Sequence, residues 1–164
     1  MNQNESTVTL AGGCFWGVDE LIRAQKGVIK TEVGYSGGHT ENPNYETVKL
    51  GNTGHAETIQ VTFDSNLTSY KELFHFFFSI HDPTTINQQG NDKGSQYRSA
   101  IFYQSENEKE IAQEVIKEVI QKNFWKKPIV TELIPLKQFY SAEEYHQDYL
   151  QKNPGGYTCH FKRY

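Results

Sequence analysis

The sequence predicts an α+β protein, a two-layer α/β sandwich with a split β-α-β core and a mixed sheet. Strand-like and helix-like segments follow one another in the order β-α-β, β-α-β, then α-β and a terminal helix. With 164 residues, the chain can bury one core without metal or disulfide support. The end of the chain is loose and glycine-bearing. We therefore expect one domain over residues 1–164, with a flexible N-terminus at 1–6 and a loosely structured, mobile tail at 151–164.

Strands are predicted where short apolar runs or an alternation of apolar and polar residues occur. They are residues 7–11, 28–35, 55–63, 98–103 and 129–134. In the third segment Glu57 alternates in phase with Ile59 and Val61. Glu57 therefore points with the apolar set, which is an unusual place for a carboxylate.

Helices are predicted at residues 15–24, 69–80, 105–124 and 142–150. Three of them begin with a serine followed three residues later by a glutamate, which is the sequence of a capping box. The pairs are Ser69 with Glu72, Ser105 with Glu108, and Ser141 with Glu144. The helix at 15–24 has no such pair, so its first N–H groups are free for a thiolate or a substrate oxygen.

Two polar segments are predicted to be loops. Residues 42–45 contain Asn and Pro, which favour irregular backbone. Residues 84–96 are polar, bear glycine and are too long for a plain connector. This second loop is a candidate functional segment, because binding and catalytic residues are frequent on such loops.

The charge pattern argues against nucleic acid or an anionic membrane as a partner. The formal net charge is −4 and the basic residues are dispersed. Residues 1–6 lack the basic region and apolar core of a signal peptide, and no later segment approaches a membrane-spanning length. We therefore expect a cytoplasmic protein without a membrane partner.

The two cysteines, Cys14 and Cys159, lie near opposite ends of the chain. In a reducing compartment such a pair is more often catalytic, or left as free thiols, than a permanent disulfide. The cysteines and histidines lack the spacing of zinc ligands, and we expect no metal. Three histidines are expected to make structural hydrogen bonds: His55, His81 and His146.

Cys14 stands where a strand ends and a helix begins, in the segment 12–17 (GGCFWG). Helix N–H groups lower the pKa of a facing thiol, which predicts an activated nucleophile. A small cysteine buried in a strand-helix turn is the structural alternative. Phe15 and Trp16 fit the core, but neighbours on a helix point about 100° apart, so one of them can wall a cavity beside the sulfur.

At these residues the chain resembles the peptide methionine sulfoxide reductases of type A. The resemblance continues through 34–38 (GYSGG), 42–46 (NPNYE), 54–57 (GHAE), 81–84 (HDPT), 89–99 (QGNDKGSQYRS) and 139–147 (FYSAEEYHQ). It implies a ferredoxin-like sandwich and a single catalytic domain without a cofactor. The implied activity is reduction of the S epimer of methionine sulfoxide, free or in proteins, to methionine.

The resemblance makes Cys14 the nucleophile, which ends the first step as a sulfenic acid. Glu57, desolvated among apolar neighbours, would have a raised pKa and remain protonated to bind the sulfoxide oxygen. By resemblance Tyr35 and Tyr97 donate hydrogen bonds to that oxygen. Asp92, also by resemblance, helps to fix the substrate or a water molecule.

By the same resemblance Phe15 and Trp16 hold the substrate methyl group, and Tyr45 occupies a family position without an assigned role. Without the resemblance, Glu57 equally fits a strand-edge surface carboxylate and Asp92 a loop cap.

Cys159 is the thiol available to clear the sulfenic acid, because a nearby thiol condenses with it to a disulfide. Its segment, 153–160 (NPGGYTCH), resembles the tail in which the family keeps its resolving cysteine. The resemblance implies a Cys14–Cys159 disulfide that thioredoxin reduces, in a protein that we expect to be a monomer. His160 would lower the pKa of Cys159 if charged, or is simply a solvated side chain.

Two other functions remain open. A thiol peroxidase also passes through a sulfenic acid but needs no pocket for a methyl group. A non-catalytic domain could bind oxidised proteins through the same aromatic residues. Loss of turnover on Cys14→Ser would separate a binding domain from either enzyme.

Overall fold

The computed structural model describes residues 4–164. The strands are β1 (Glu5–Gly12), β2 (Val28–Ser36), β3 (Ala56–Asp64), β4 (Gln88–Gln89), β5 (Asp92–Lys93), β6 (Ser99–Tyr103), β7 (Glu132–Pro135) and β8 (Phe139–Ser141). The helices are α1 (Phe15–Arg23), α2 (Tyr45–Val48), α3 (Tyr70–Ile80), α4 (Glu106–Lys122) and α5 (Tyr149–Lys152). Single 3₁₀ turns lie at Ser95–Tyr97 and Glu144–His146.

Six strands form one mixed sheet in the order β7-β6-β1-β3-β2-β8, while β4 and β5 form a separate hairpin. β3 lies between β1 and β2 and is antiparallel to both, so α1 connects two strands that a third one separates. β6 pairs with β1 antiparallel and with β7 parallel. This is the predicted split β-α-β core, and the predicted fold class is confirmed.

The sheet is strongly curled, as its chain connections require. β7 and β8 occupy opposite edges, yet only residues 136–138 join them. In a flat sheet five strand spacings would separate these edges by about 24 Å. The short link spans at most about 14 Å, so the edges must approach each other. The inside of the curl holds a small apolar cluster that includes Ala56, Ala100 and Phe102.

The main core lies on the other face of the sheet, under α1, α3 and α4. Ile59 and Val61 of β3 are fully buried there, as their alternation predicts. Glu57 shares that face and is only 3% exposed, so the alternative of a surface carboxylate is wrong. No helix within residues 4–164 has the length and apolar character needed to cross a membrane.

Two of the three predicted serine caps are present. The hydroxyl of Ser69 accepts a hydrogen bond from the N–H of Glu72, and that of Ser105 accepts one from Glu108. Both bonds satisfy N–H groups that the helix itself leaves without a partner. Residues 69 and 105 are therefore the N-caps of α3 and α4.

The predicted helix over residues 142–150 is wrong. Ser141 is the last residue of β8 and pairs with Gly34, so it cannot cap a helix. The side chain of Gln147 bonds both the N–H and the C=O of Val33, on β2 next to Gly34. These tertiary contacts outweigh local helix propensity and leave a 3₁₀ turn followed by the short α5.

The ends of the chain also differ from expectation. Glu5 and Ser6, expected in a flexible N-terminus, pair with β3, while residues 1–3 of that segment lie outside the described residues. Gln151 and Lys152, expected in the loose tail at 151–164, belong to α5, while residues 153–164 have no regular secondary structure, as expected. The loop at 42–45 ends in Asn44, whose side chain caps α2.

Candidate active site

A pocket of about 110 Å³ lies where the end of β1, the start of α1 and the first residues of β3 meet. Its lining combines one thiol, two carboxyl groups and five aromatic rings. The lining residues are Cys14, Phe15, Trp16, Tyr45, Glu57, Asp92, Tyr97 and Tyr157. Seven of these eight residues are among the predicted site residues, and Tyr157 is the addition.

Cys14 is the N-cap residue of α1 and is 7% exposed. Its side chain makes no capping hydrogen bond. The N–H of Phe15, the first of the helix, instead donates to Oε1 of Glu57 at 3.1 Å. The expectation that all these N–H groups are free is therefore wrong at Phe15, because a residue distant in sequence binds it.

Burial raises the pKa of the Cys14 thiol well above its ordinary value, and the nearby Glu57 carboxyl raises it further. The backbone N–H of Trp16, at the start of the helix, acts in the opposite direction and lowers the pKa. The predicted lowering of the thiol pKa is thus wrong, because desolvation outweighs the helix N-terminus. Burial also raises the pKa of Glu57, to about 8, which agrees with the expected neutral acid.

The aromatic wall is held in place from behind. Nε1 of Trp16 donates to Nδ1 of His146 at 3.0 Å. The indole ring also stacks on Tyr149, with centroids 3.8 Å apart and an angle of 9°. The Tyr45 ring lies 4.7 Å from the His146 ring, centroid to centroid. These contacts fix the orientation of Trp16 beside the thiol.

The two predicted tyrosine donors differ in position. Tyr97 lines the pocket, where burial raises its pKa and keeps the phenol protonated. Tyr35 is fully buried and is not among the lining residues. Its hydroxyl donates to Oε1 of Glu143 at 2.9 Å. The backbone of Tyr35 nevertheless pairs with that of Glu57 in the sheet. The structure therefore brings Tyr97, but not the Tyr35 hydroxyl, to the pocket.

Asp92 joins the pocket to the C-terminal tail. The hydroxyl of Tyr157 lies 3.2 Å from both carboxylate oxygens of Asp92, so it donates to this carboxylate. Burial raises the pKa of Asp92. The sequence signal that could have identified Tyr157 is its place two residues before Cys159, in the segment already singled out.

Cys159 is half-buried beside the same carboxylate, with Sγ 3.9 Å from Oδ2 of Asp92 and 4.0 Å from the carbonyl oxygen of Gln89. Both cysteines are free thiols. Cys159 is near enough to Cys14 to contribute to the raised pKa of that thiol. The tail therefore places its thiol close to the pocket in this state.

The histidines bind backbone and side-chain groups. His55 and His81 bridge structural groups within the fold, as expected. His146 accepts from Trp16, while its Nε2 has no partner within residues 4–164. His160 is only 7% exposed, so the solvated alternative is wrong. Burial lowers its pKa to about 4, so it is neutral and does not activate Cys159 by charge.

No group of three or more metal-ligating side chains occurs within residues 4–164. The pocket instead offers a thiol, a protonated carboxylic acid and a rigid aromatic wall within one small volume. These features define a cysteine-based redox enzyme.

The comparisons identify the family. The family model described as peptide methionine sulfoxide reductase matches residues 6–164, and the chain belongs to this family. The peptide methionine sulfoxide reductase MsrA of Mycobacterium sp. (strain JLS) is 51% identical over 154 residues, which are 94% of this chain and 88% of that protein.

Solved structures agree in fold. Mxr1 from Saccharomyces cerevisiae in reduced form is 40% identical, with a TM-score of 0.94 over 100% of this chain and 95% of that one. Mxr1 in complex with Trx2 is 29% identical, with a TM-score of 0.69 over 100% and 94%.

Proposed function

We propose that this chain reduces methionine (S)-sulfoxide, free or within proteins, with Cys14 as nucleophile and Glu57 as proton donor. One observation carries the proposal: the two groups share a small aromatic pocket, and the N–H of Phe15 fixes Glu57 there. With a pKa of about 8, the buried acid is protonated at neutral pH. A neutral carboxylic acid can donate to a sulfoxide oxygen.

In the first step the sulfur of Cys14 attacks the sulfoxide sulfur while Glu57 gives a proton to the oxygen. The S–O bond of the substrate and the transient sulfur–sulfur bond then break as the protonated oxygen passes to the Cys14 sulfur. Methionine leaves, reduced by two electrons, and Cys14, oxidised by two electrons, is a sulfenic acid. The Cys14 proton replaces the one that Glu57 gave. Oε1 of Glu57 already accepts from Phe15, so Oε2 is the oxygen that carries the proton.

Phe15 and Trp16 are proposed to enclose the methyl group of the substrate. Both line the pocket beside Cys14, and Trp16 is held by His146 and Tyr149. An immobile apolar wall excludes water and aligns the sulfoxide sulfur with the attacking thiol.

Four further residues are assigned to the site. Tyr97 donates its phenol to the reacting oxygen, and Asp92 positions substrate or water. Tyr45 lines the pocket without a separate chemical role. Tyr35 is proposed to reach the oxygen only after its hydroxyl leaves Glu143, and while it is bound to Glu143 it supports the site from the core.

In the second step Cys159 attacks the sulfenic sulfur of Cys14. A disulfide forms between the two sulfurs, the S–O bond breaks, and the oxygen leaves as water with the Cys159 proton. The position of Cys159 beside Asp92 supports this role. The tail is proposed to move with the reaction.

An external dithiol then returns both cysteines to thiols, and we infer that this reductant is thioredoxin. The solved complex of yeast Mxr1 with Trx2 supports the choice. We also infer that the protein works as a monomer in the cytoplasm, a reducing compartment in which the two thiols stay reduced between turnovers.

Separated S and R epimers of methionine sulfoxide test the proposed function. With dithiothreitol as reductant, we expect turnover of the S epimer, little turnover of R, and none by Cys14→Ser. A clear preference for the R epimer, or turnover that survives Cys14→Ser, would contradict the proposal.

A further inference from the structure

The tail crosses the first turn of α1 immediately beside the catalytic cysteine. Nε2 of His160 donates to the carbonyl oxygen of Gly12 at 2.7 Å, and the side chain is almost fully buried. The N–H of His160 also donates to Oγ1 of Thr158 at 3.2 Å. The segment 158–160 is therefore held against the end of β1 by a specific contact.

Gly17, three residues after Cys14, makes room for this imidazole, and Gly13 lies beside it. A Cβ on Gly17 would collide with Nδ1 of His160 and lie 2.5 Å from Oγ1 of Thr158. A Cβ on Gly13 would meet Gln89 first, at 2.6 Å, and would lie 3.2 Å from Nε2 of His160. Chemistry at the pocket does not use Gly17, and a glycine inside a helix is unfavourable unless something requires it. We call Gly12, Gly13 and Gly17 the His160 seat.

The seat fixes the thiol that precedes the imidazole. Consecutive Cα atoms are 3.8 Å apart, so a seated His160 confines Cys159 to its present surroundings. There Sγ of Cys159 lies 3.9 Å from Oδ2 of Asp92. A Cβ on Gly90 would lie 3.4 Å from the same Sγ. Cys159 is thus held between the hairpin turn and the start of α1.

We propose that His160 is a positioning residue for the second step, which places Cys159 for attack on the Cys14 sulfenic acid. This inference rests on the proposed function. The chemistry is unchanged: the sulfur–sulfur bond forms, the S–O bond of Cys14 breaks and water leaves. His160 contributes by holding the attacking sulfur near its target, which raises the effective concentration of the thiol.

His160 acts by docking and not as a base. Nδ1 lies 3.9 Å from Sγ of Cys159, but burial lowers the pKa of His160 to about 4. A base that weak takes little of the proton of a thiol whose own pKa burial raises. The Asp92 carboxylate lies at the same distance and is the better acceptor.

The test measures the two steps separately in a single turnover with methionine (S)-sulfoxide. Methionine release reports the first step, and the Cys14–Cys159 linkage in acid-quenched samples reports the second. For His160→Ala we expect methionine release within about twofold of the unchanged protein. We expect disulfide formation to slow by about tenfold or more, with sulfenic acid accumulating.

Three variants separate docking from general damage. Gly17→Ala blocks the seat from the opposite side and should slow disulfide formation without altering His160. The double variant with His160→Ala should form the disulfide little more slowly than either single variant, because both substitutions disrupt the same contact. His160→Gln keeps an N–H that can reach Gly12 and should recover part of the rate. His39→Ala, at an exposed histidine, is the matched control and should change neither step.

The outcomes distinguish the two proposals. Disulfide formation at an unchanged rate in His160→Ala, or equal slowing of both steps, would contradict the positioning role of His160. If the unchanged protein releases methionine and forms no Cys14–Cys159 linkage, the proposed second step itself fails. Should His160→Ala not fold, the two rates in Gly17→Ala decide the question.

Discussion

Proton placement on Cys14 and Glu57 governs the chemistry of the pocket. Burial disfavours the charged form of both groups, so the pocket holds a neutral thiol and a neutral acid. Each group would raise the pKa of the other if it were charged. As the Cys14 sulfur attacks, negative charge forms on the sulfoxide oxygen, and the proton of Glu57 neutralises it. Activation of Cys14 is therefore coupled to the presence of substrate.

Removing the acid at Glu57 tests this coupling. Glu57→Gln keeps an oxygen for the N–H of Phe15 but has no acidic proton, so we expect the first step to slow by about 10²- to 10⁴-fold. In the unchanged protein the rate should fall as pH rises through about 8, because Glu57 loses its proton there. That alkaline fall should be absent in Glu57→Gln, as measured by single-turnover methionine release across pH.

Glu108→Gln is the matched control for this variant. Glu108 is another buried glutamate, 1% exposed, and it lies outside the pocket lining. Its replacement should leave the rate and the pH profile of the first step unchanged. An alkaline fall that persists in Glu57→Gln would assign the proton to another group, with Tyr97 the first to examine.

Substitutions of Trp16 test whether this side chain binds the methyl group of the substrate. Trp16→Ala removes one wall and about 2–3 kcal/mol of apolar contact, so kcat/KM for the S epimer should fall by about 30- to 150-fold. Trp16→Phe keeps a ring and loses the bond to His146, and a smaller fall is expected. Reduction of hydrogen peroxide, assayed in parallel, should not follow the same order. Equal losses with both substrates would contradict the assignment of Trp16 to the methyl group and would indicate a general effect on Cys14.

At the scale of elements, local sequence determines the caps of α3 and α4 but not the segment after Ser141. Ser105 needs only the N–H of Glu108, three residues away. Ser141 is paired with Gly34, on a strand that is distant in sequence. A serine-glutamate pair predicts a helix start only where no neighbouring strand competes for the same backbone.

Serine substitutions should reproduce this difference. Ser105→Ala removes the cap of the long helix α4 and should lower the free energy of unfolding by about 1 kcal/mol. Ser141→Ala, the matched change at a serine that caps no helix, should lower the free energy of unfolding by less. Urea denaturation of both variants makes the comparison, and equal losses would contradict the assigned cap.

Glu108 in the first turn of α4 makes stability depend on pH. Burial raises its pKa to about 7, above the value of the unfolded chain. The stability that the neutral Glu108 side chain contributes is therefore complete below the pKa that this group has in the unfolded chain. It is lost as pH rises through about 7. We expect the unchanged protein to lose about 1–2 kcal/mol more than Glu108→Gln between about pH 5 and about pH 8. Urea titrations at both pH values measure this difference, and parallel pH dependence would contradict it.

At the scale of the whole molecule, the sheet core was predictable because period-two and helical patterns are local properties of the chain. The face of Glu57 followed from the same alternation. The hydrogen bond from Phe15 to Glu57, the partner of the Tyr35 hydroxyl and the docking of His160 were not predictable. Each depends on residues that only the folded chain brings together.

The tail illustrates that limit. Its Asn-Pro-Gly-Gly sequence predicts loose structure, and residues 153–164 have no helix or strand. Yet His160 is buried against Gly12, and the N–H of Arg163 donates to the carbonyl oxygen of Ser79 at 2.8 Å. Irregular backbone can therefore be docked at defined points, and its mobility stays a prediction.

The most direct test of the central claim is peptide mapping under non-reducing conditions after one turnover with methionine (S)-sulfoxide. We expect one Cys14–Cys159 linkage for each methionine released. In Cys159→Ser we expect the same methionine release, ending at a Cys14 sulfenic acid. Methionine release by the unchanged protein with a stable sulfenic acid and no such linkage would contradict the account.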